Sequence, residues 1–339
     1  MGGRSFDMSH GEFDIIARYF TRPASRSEVL LGIGDDAAVV APPANRRLVV
    51  AMDTIVNGVH FPEDTAAADV GYRALAVNLS DLAAMGAEPA WLTLSLSSPF
   101  PDESWLAGFA HGLFDLADRH RIDLIGGDTV RGPLVVTVQI AGWVENDRWL
   151  TRSGAQPGDL LFVSGVPGEA AAGLVVIQQS LPDSPAARHL RQRFLRPEPR
   201  VALGRALRTI ASSAMDVSDG VLTDLDKLCA ASRCGARVNV DALPVSQAAS
   251  QLFGADACVD YALAGGDDYE ILFTLAPSRL HDLPVGVPCT QIGVMTGPSP
   301  GHAAGASVEC LRAGQPFIPG RRGYDHFSTT HVAAGSSRR

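Results

Sequence analysis

The chain has 339 residues, 46% of them hydrophobic and 19% charged, and a formal net charge of −9. That length exceeds one ordinary hydrophobic core, so two domains of roughly 150 residues each are expected. The acidic balance and the absence of a basic stripe leave no footprint for nucleic-acid phosphates. No apolar run approaches the roughly 20 residues of a membrane-spanning helix. The opening MGGRSFDMSHGEFD has neither a basic n-region nor an apolar h-region, so a cytoplasmic protein with no membrane partner is expected.

Apolar residues recur at three- and four-residue spacing in GEFDIIARYF, ADVGYRALAVNLSDLAAMG and DESWLAGFAHGLFDLADRHR, which predicts three helices. Between and after them, RLVVAMD, PAWLTLSLS and PLVVTVQIAGWV read as strands bounded by Pro, Gly or Asp. Following TRSGAQPGD the pattern restarts with a strand at LLFVSG and a helix at GEAAAGLVVIQQ, which sets a boundary near Leu150 between domains at residues 1–150 and 151–328. The small, polar and basic tail, 329–339, is expected to be disordered.

The five cysteines, Cys229, Cys234, Cys258, Cys289 and Cys310, form no CxxC and read as reduced thiols. The only lysine is Lys227, inside the helical GVLTDLDKLCAA. A GxxxxGK[ST] loop and the strand lysine of a protein-kinase-like site are both missing.

Aspartates recur instead, at positions that read as strand ends or turns: GIGDDA (Asp35, Asp36), VVAMD (Asp53), GGDT (Asp128), MDVSDG (Asp216, Asp219) and GGDDYE (Asp267, Asp268). Ligands of α/β folds collect beside the carboxyl ends of strands, where flanking glycines let backbone approach a phosphate. Asp81 differs, because it lies in the apolar helix LAVNLSDLAAMG with Asn78 three residues earlier on the same face. A carboxylate there destabilises the helix unless a metal or another partner matches it, or unless that face is a solvated edge.

An acidic site can handle polyphosphate through Mg²⁺, which binds one or two carboxylates together with waters and substrate phosphates. Two or more such ions neutralise both sides of an in-line transfer, which accounts for abundant aspartate and scarce lysine together. The competing dinucleotide fingerprint, Gly32 to Ala37 with Asp53 downstream, is followed by the strand-like AAVVAPP. No helix N-terminus would then meet a pyrophosphate.

Together these stretches, with DTIVNGVHF, RALAVNLSDLAAMGAEPAWLTLSLSSP, LIGGDTVRGP, TRSGAQPGD, ALAGGDDYEILF and GYDHF, resemble the thiamine-monophosphate kinase family. Its superfamily includes aminoimidazole ribonucleotide synthetase and selenophosphate synthetase, and the likeness runs in order over nearly the whole chain. The resemblance implies an α/β N-terminal domain that dimerises through its strands and an α+β C-terminal domain, with the active site in the cleft between them. It also implies direct transfer of the ATP γ-phosphoryl group to thiamine phosphate with several Mg²⁺ ions, in a homodimer. Carried onto matching positions, Asp36, Asp53, Asp81, Asp128, Asp216 and Asp219 would bind metal. Gly127, Arg152 and Ser218 would contact ATP, and His60, Asp267 and Tyr324 would border the acceptor.

The acceptor phosphate already carries a nucleophilic oxygen, so a single displacement needs no phosphoenzyme. Two departures stand out: Ala51 and Met52 precede Asp53 where the family commonly has hydroxyl residues, and Asp267 replaces its usual Glu. Selenophosphate synthetase chemistry is disfavoured because no cysteine precedes residue 229. A regulator that kept the cleft but lost turnover is the reading from another class, and Ala51 and Met52 are its only support.

Overall fold

A computed structural model describes residues 11–99, 102–145, 148–298, 307–320 and 323. The first predicted helix forms as α1 (Glu12–Ile15) and continues as a π-helical turn over Ile16–Phe20. Strands β1 (Val29–Leu31) and β2 (Val39–Val40) pair antiparallel around GIGDDA, so strand rather than helix follows those glycines. Then come β3 (Arg46–Val56), α2 (Ala67–Ala84), β4 (Glu88–Ser98), α3 (Glu103–His120), β5 (Asp123–Arg131) and β6 (Val135–Glu145).

These strands make a four-stranded sheet in the order β3-β6-β4-β5. Its pairs are antiparallel except β4 with β5, which run parallel through the α3 crossover. Period-two alternation sets its faces. Leu92, Leu94 and Leu96 of β4 are buried while Ser95 between them is exposed. On β3 the alternation leaves Leu48, Val50 and Met52 49%, 47% and 64% exposed.

A second sheet follows, built from β7 (Leu160–Ser164), β8 (Ala211–Val217), β9 (Gly235–Asn239), β10 (Glu270–Leu275), β11 (Cys289–Thr296), β12 (Val308–Arg312) and β13 (Gln315–Pro316). Its order is β13-β12-β9-β11-β7-β10-β8. The intervening helices are α4 (Glu169–Gln178), α5 (Pro185–Leu195), α6 (Val201–Leu207), α7 (Val221–Ser232), α8 (Gln247–Phe253) and α9 (Ala255–Ala264). Among the described residues no helix is long and apolar enough to cross a membrane.

Helix α2 joins the two sheets. Fourteen of its 18 residues are buried, the pattern of a helix covered all round rather than on one stripe. Its Leu75, Leu79 and Leu82 belong to one continuous core with Leu92 and Ile140 of the first sheet and with Phe162, Leu203, Leu207 and Phe273 beyond it. Each such leucine contributes roughly 1.5–3 kcal/mol by leaving water.

Two sequence expectations need correction. Asp53 and Asp128 do not end strands: β3 runs on through Thr54, Ile55 and Val56, and β5 through Thr129, Val130 and Arg131. The β-branched residues after each aspartate keep the chain extended, with β3 held against β6 and β5 against β4.

Candidate active site

Three carboxylates meet where α2 passes between the sheets. The Asp53 backbone N–H donates to Asn78 Oδ1 at 2.9 Å, and Asn78 Nδ2 donates to the Ala74 carbonyl one turn back. The fully buried Asn78 therefore pins β3 to α2 beside Asp81. From the position just before Asp81, Ser80 Oγ donates to Asp216 Oδ2 at 2.8 Å, fixing the carboxylate near the end of β8. A cavity of about 280 Å³ lies alongside, lined by Val50, Met52, Asp81, Arg152, Met215 and Asp216.

Electrostatics show how uncomfortable this grouping is without a cation. Burial raises Asp53, and the Asp219 charge adds to it. Burial also pushes Asp81 up to about 8, reinforced by Asp216 and Asp53 and opposed by Arg152. Asp216 rises to about 6, again chiefly through burial, with the Ser80 hydrogen bond and Arg152 pulling the other way. An all-oxygen set of acids, Asp216 buried and Asp53 and Asp81 half-buried, fits a hard divalent cation. Asp53, Asp81 and Asp216 lie near enough for their charges to interact, but among the described residues no three His, Cys, Asp or Glu side chains are placed to hold a metal ion by themselves.

Two loops border the group. Ser218 and Asp219 donate their N–H groups to Oδ2 of the fully buried Asp224 at 3.0 and 2.9 Å. Lys227 Nζ reaches Asp219 at 2.5 Å and Asp224 at 2.8 Å. Against this loop lies 265–269: Asp267 N–H donates to the Ser218 carbonyl and Tyr269 N–H to the Val217 carbonyl, each at 2.8 Å. A Cβ on Gly266 would fall 2.5 Å from the Ser218 carbonyl oxygen, so only glycine allows the approach. Asp267 (φ 71°) and Tyr269 (φ 52°) are both left-handed, at a cost of about 1–2 kcal/mol each.

The two adjacent aspartates of GGDDYE have different fates. Asp267 keeps its side chain partly exposed, whereas Asp268 turns inward and accepts the N–H groups of Gly168 and Ala170 at the start of α4. Burial outweighs those bonds and pushes Asp268 up to about 8. Glu270 is fully buried too, held by Ser164, Arg193 and Arg200.

Other expected site residues stand apart. Gly127 and Asp128 lie on β5, three strands from Asp53 across the sheet, a separation of about 14 Å at the usual strand spacing. Gly127 is at φ 150°, and a Cβ there would sit 1.9 Å from the Leu94 carbonyl. Asp36 occupies an exposed turn and bonds through its N–H to Asp35. His60 Nδ1 accepts the Val56 N–H at 3.0 Å, which places that ring's proton on Nε2 when it is neutral. Arg152 is exposed, and its carbonyl accepts from Ser232 Oγ. Tyr324, like the tail 329–339, lies outside the described residues.

Family models of AIR synthase related proteins match residues 34–144 (N-terminal domain) and 156–302 (C-terminal domain). Thiamine-monophosphate kinase of Escherichia coli K12 is 48% identical over 95% of this chain and its own full length. The Haemophilus influenzae enzyme is 40% identical over 94% of this chain and 99% of its own. The chain belongs to the thiamine-monophosphate kinase family.

Solved kinases of this family share the fold. The Stenotrophomonas maltophilia K279a thiamine-monophosphate kinase superposes with TM-score 0.79 at 46% identity, covering 86% of this chain and 93% of that one. A structure described as AaThiL complexed with AMPPCP and TMP gives 0.74 at 29% identity, covering 87% and 92%. Sequence reasoning gave no site role to four side chains that contact the candidate site residues: Arg73, Ser80, Asp224 and Lys227. Lys227 had a legible signal, since Asp224 precedes it by three residues on one helix. Arg73 carried the same signal as Asp81, a charge inside an apolar helical run.

Proposed function

We propose that this chain transfers the γ-phosphoryl group of ATP directly to thiamine phosphate, giving thiamine diphosphate and ADP, with Mg²⁺ as the cation. The observation that carries the reading is the convergence of Asp53, Asp81 and Asp216, drawn from both sheets and from α2, beside a cavity edged by Arg152. Bound Mg²⁺ would supply the positive charge that offsets the nucleotide and acceptor phosphates. Asp53, Asp81, Asp216 and Asp219 would be the cation ligands, with Asp81 and Asp216 lining the cavity. Arg152, Gly127 and Ser218 contact ATP, while His60, Asp267 and Tyr324 border the acceptor. The acceptor phosphate oxygen is itself the nucleophile, so the residues bind and align and none becomes phosphorylated.

The same reading includes a homodimer. Asp128 and Gly127 cannot reach Asp53 within one sheet, and both β3 and β5 are edge strands. The exposed Leu48, Val50 and Met52 supply an apolar face for a second copy. Two-fold packing of these faces sets β3 of one protomer beside β5 of the other, so that Asp128 and Asp36 complete the ligand set. A cytoplasmic location belongs to this reading as well, supported by five free thiols.

Incubation of the purified chain with Mg-ATP and thiamine phosphate, thiamine or formylglycinamidine ribonucleotide tests the activity, with ADP quantified and products identified by mass. Thiamine diphosphate from thiamine phosphate alone is expected. ADP formed only with another acceptor would contradict the assignment.

A further inference from the structure

Arg73 is 1% exposed, on the face of α2 that meets the second half of the chain. Its Nη2 donates to Asp267 Oδ1 at 2.5 Å, and its Nη1 donates to the Phe194 carbonyl at 2.5 Å. The guanidinium also lies over the Phe194 ring, 4.4 Å from its centroid, with Tyr269 on another side at 5.9 Å. Tyr269 Oη donates to the same Asp267 oxygen at 3.2 Å. One carboxylate oxygen is thus committed to two fixed donors. Asp267 keeps about a third of its side-chain surface open.

Seven residues further along α2, Ser80 lies on the same stripe as Arg73, since seven residues are almost two full turns. Ser80 holds Asp216 as Arg73 holds Asp267. One rigid helix therefore gauges the spacing between a carboxylate of the cation group and the carboxylate of the left-handed 265–269 loop, at a rise of about 10 Å over seven residues. The backbone bonds of that loop to Val217 and Ser218 fix its path but not the Asp267 side chain. Arg73 does that.

We propose that Arg73 is a positioning residue for the acceptor: it orients Asp267 toward thiamine phosphate without touching substrate, and so sets acceptor affinity rather than nucleotide affinity. This rests on the functional reading above, in which Asp267 faces the acceptor. Arginine is required because its planar fork serves a carbonyl and a carboxylate at once while stacking on Phe194, a combination an ammonium cannot reproduce.

Steady-state kinetics of the full chain, with each substrate varied separately, test the assignment in Arg73→Gln, Arg73→Lys, Asp267→Asn and Tyr269→Phe. Arg73→Gln is expected to raise KM for thiamine phosphate at least tenfold while KM for ATP stays within twofold, with Arg73→Lys only partly restoring the wild-type value. Added to Asp267→Asn, Arg73→Gln should raise KM little further, because both act through one carboxylate. Tyr269→Phe, which removes one hydroxyl and leaves the packing intact, should shift acceptor KM in the same direction by a few-fold. It carries the test if Arg73→Gln fails to fold. Equal changes in both KM values, additive effects in the double variant, or an acceptor KM unmoved by Tyr269→Phe would overturn the proposal. A wild-type chain that makes no thiamine diphosphate would instead overturn the functional reading on which it rests.

Discussion

At the scale of single residues, Asp81 shows what a carboxylate packed among other carboxylates costs its own fold. Its pKa is raised to about 8, mainly by burial and then by Asp216 and Asp53. The native state therefore binds more protons than the unfolded chain between about pH 4 and pH 8, and stability falls as pH rises through that window. In EDTA the melting temperature of the wild type is expected to decline from pH 5 to pH 8. Asp81→Asn should flatten the decline and melt roughly 1–3 °C higher at pH 8, equivalent to about 1–2 kcal/mol. Parallel pH curves for the two proteins would contradict this. Asp81 stood out in sequence as a carboxylate in an apolar helix, and the structure places it near Asp216 and Asp53 rather than on a solvated edge. Arg73 sits in the same run and was not read, because its partner Asp267 lies 194 residues away and no local spacing can reveal it. Nor could sequence tell Asp267 from Asp268, whose opposite orientations follow from the left-handed backbone on either side.

At the scale of elements, hydrophobic periodicity located α2, α3 and three strands of the first sheet, β3, β4 and β6, but not β5, whose glycines and aspartates break the apolar run. It placed Asp53 and Asp128 wrongly at strand ends, because Gly and Asp suggest a turn while the β-branched residues beyond them continue the ladder. Strand order was not legible at all, since period-two alternation marks faces and not neighbours. That order is what separates Asp53 from Asp128. If a second protomer reunites them, Asp53→Asn and Asp128→Asn should each be nearly inactive alone. Mixed after subunit exchange at equal amounts, half of the dimers are hybrids and each hybrid has one intact site, so about a quarter of wild-type activity should return. Confirmed hybrids with no recovered activity would show that each site is built within one chain.

At the scale of the whole molecule, α2 is the common wall of both halves, and it lends Asn78, Ser80, Asp81 and Arg73 to sites on either side. The expectation that phosphate is handled through a divalent cation came from aspartate abundance and a single lysine. The acceptor was not legible, because carboxylates that hold cations carry no imprint of a thiazolium or pyrimidine ring. Its identity comes from kinship, at 48% identity over 95% of the chain. Lys227, set aside in sequence for lack of a phosphate loop, proves to pair directly with both Asp219 and Asp224. The most direct measurement is the rate of thiamine diphosphate formation by wild type and Asp81→Asn at saturating Mg-ATP and thiamine phosphate, with melting temperatures recorded alongside. Loss of a charge-stabilising group of this kind is expected to lower the rate by about 10²–10³-fold in a variant no less stable than wild type. A variant that turns over at the wild-type rate would contradict a catalytic role for the buried carboxylate group.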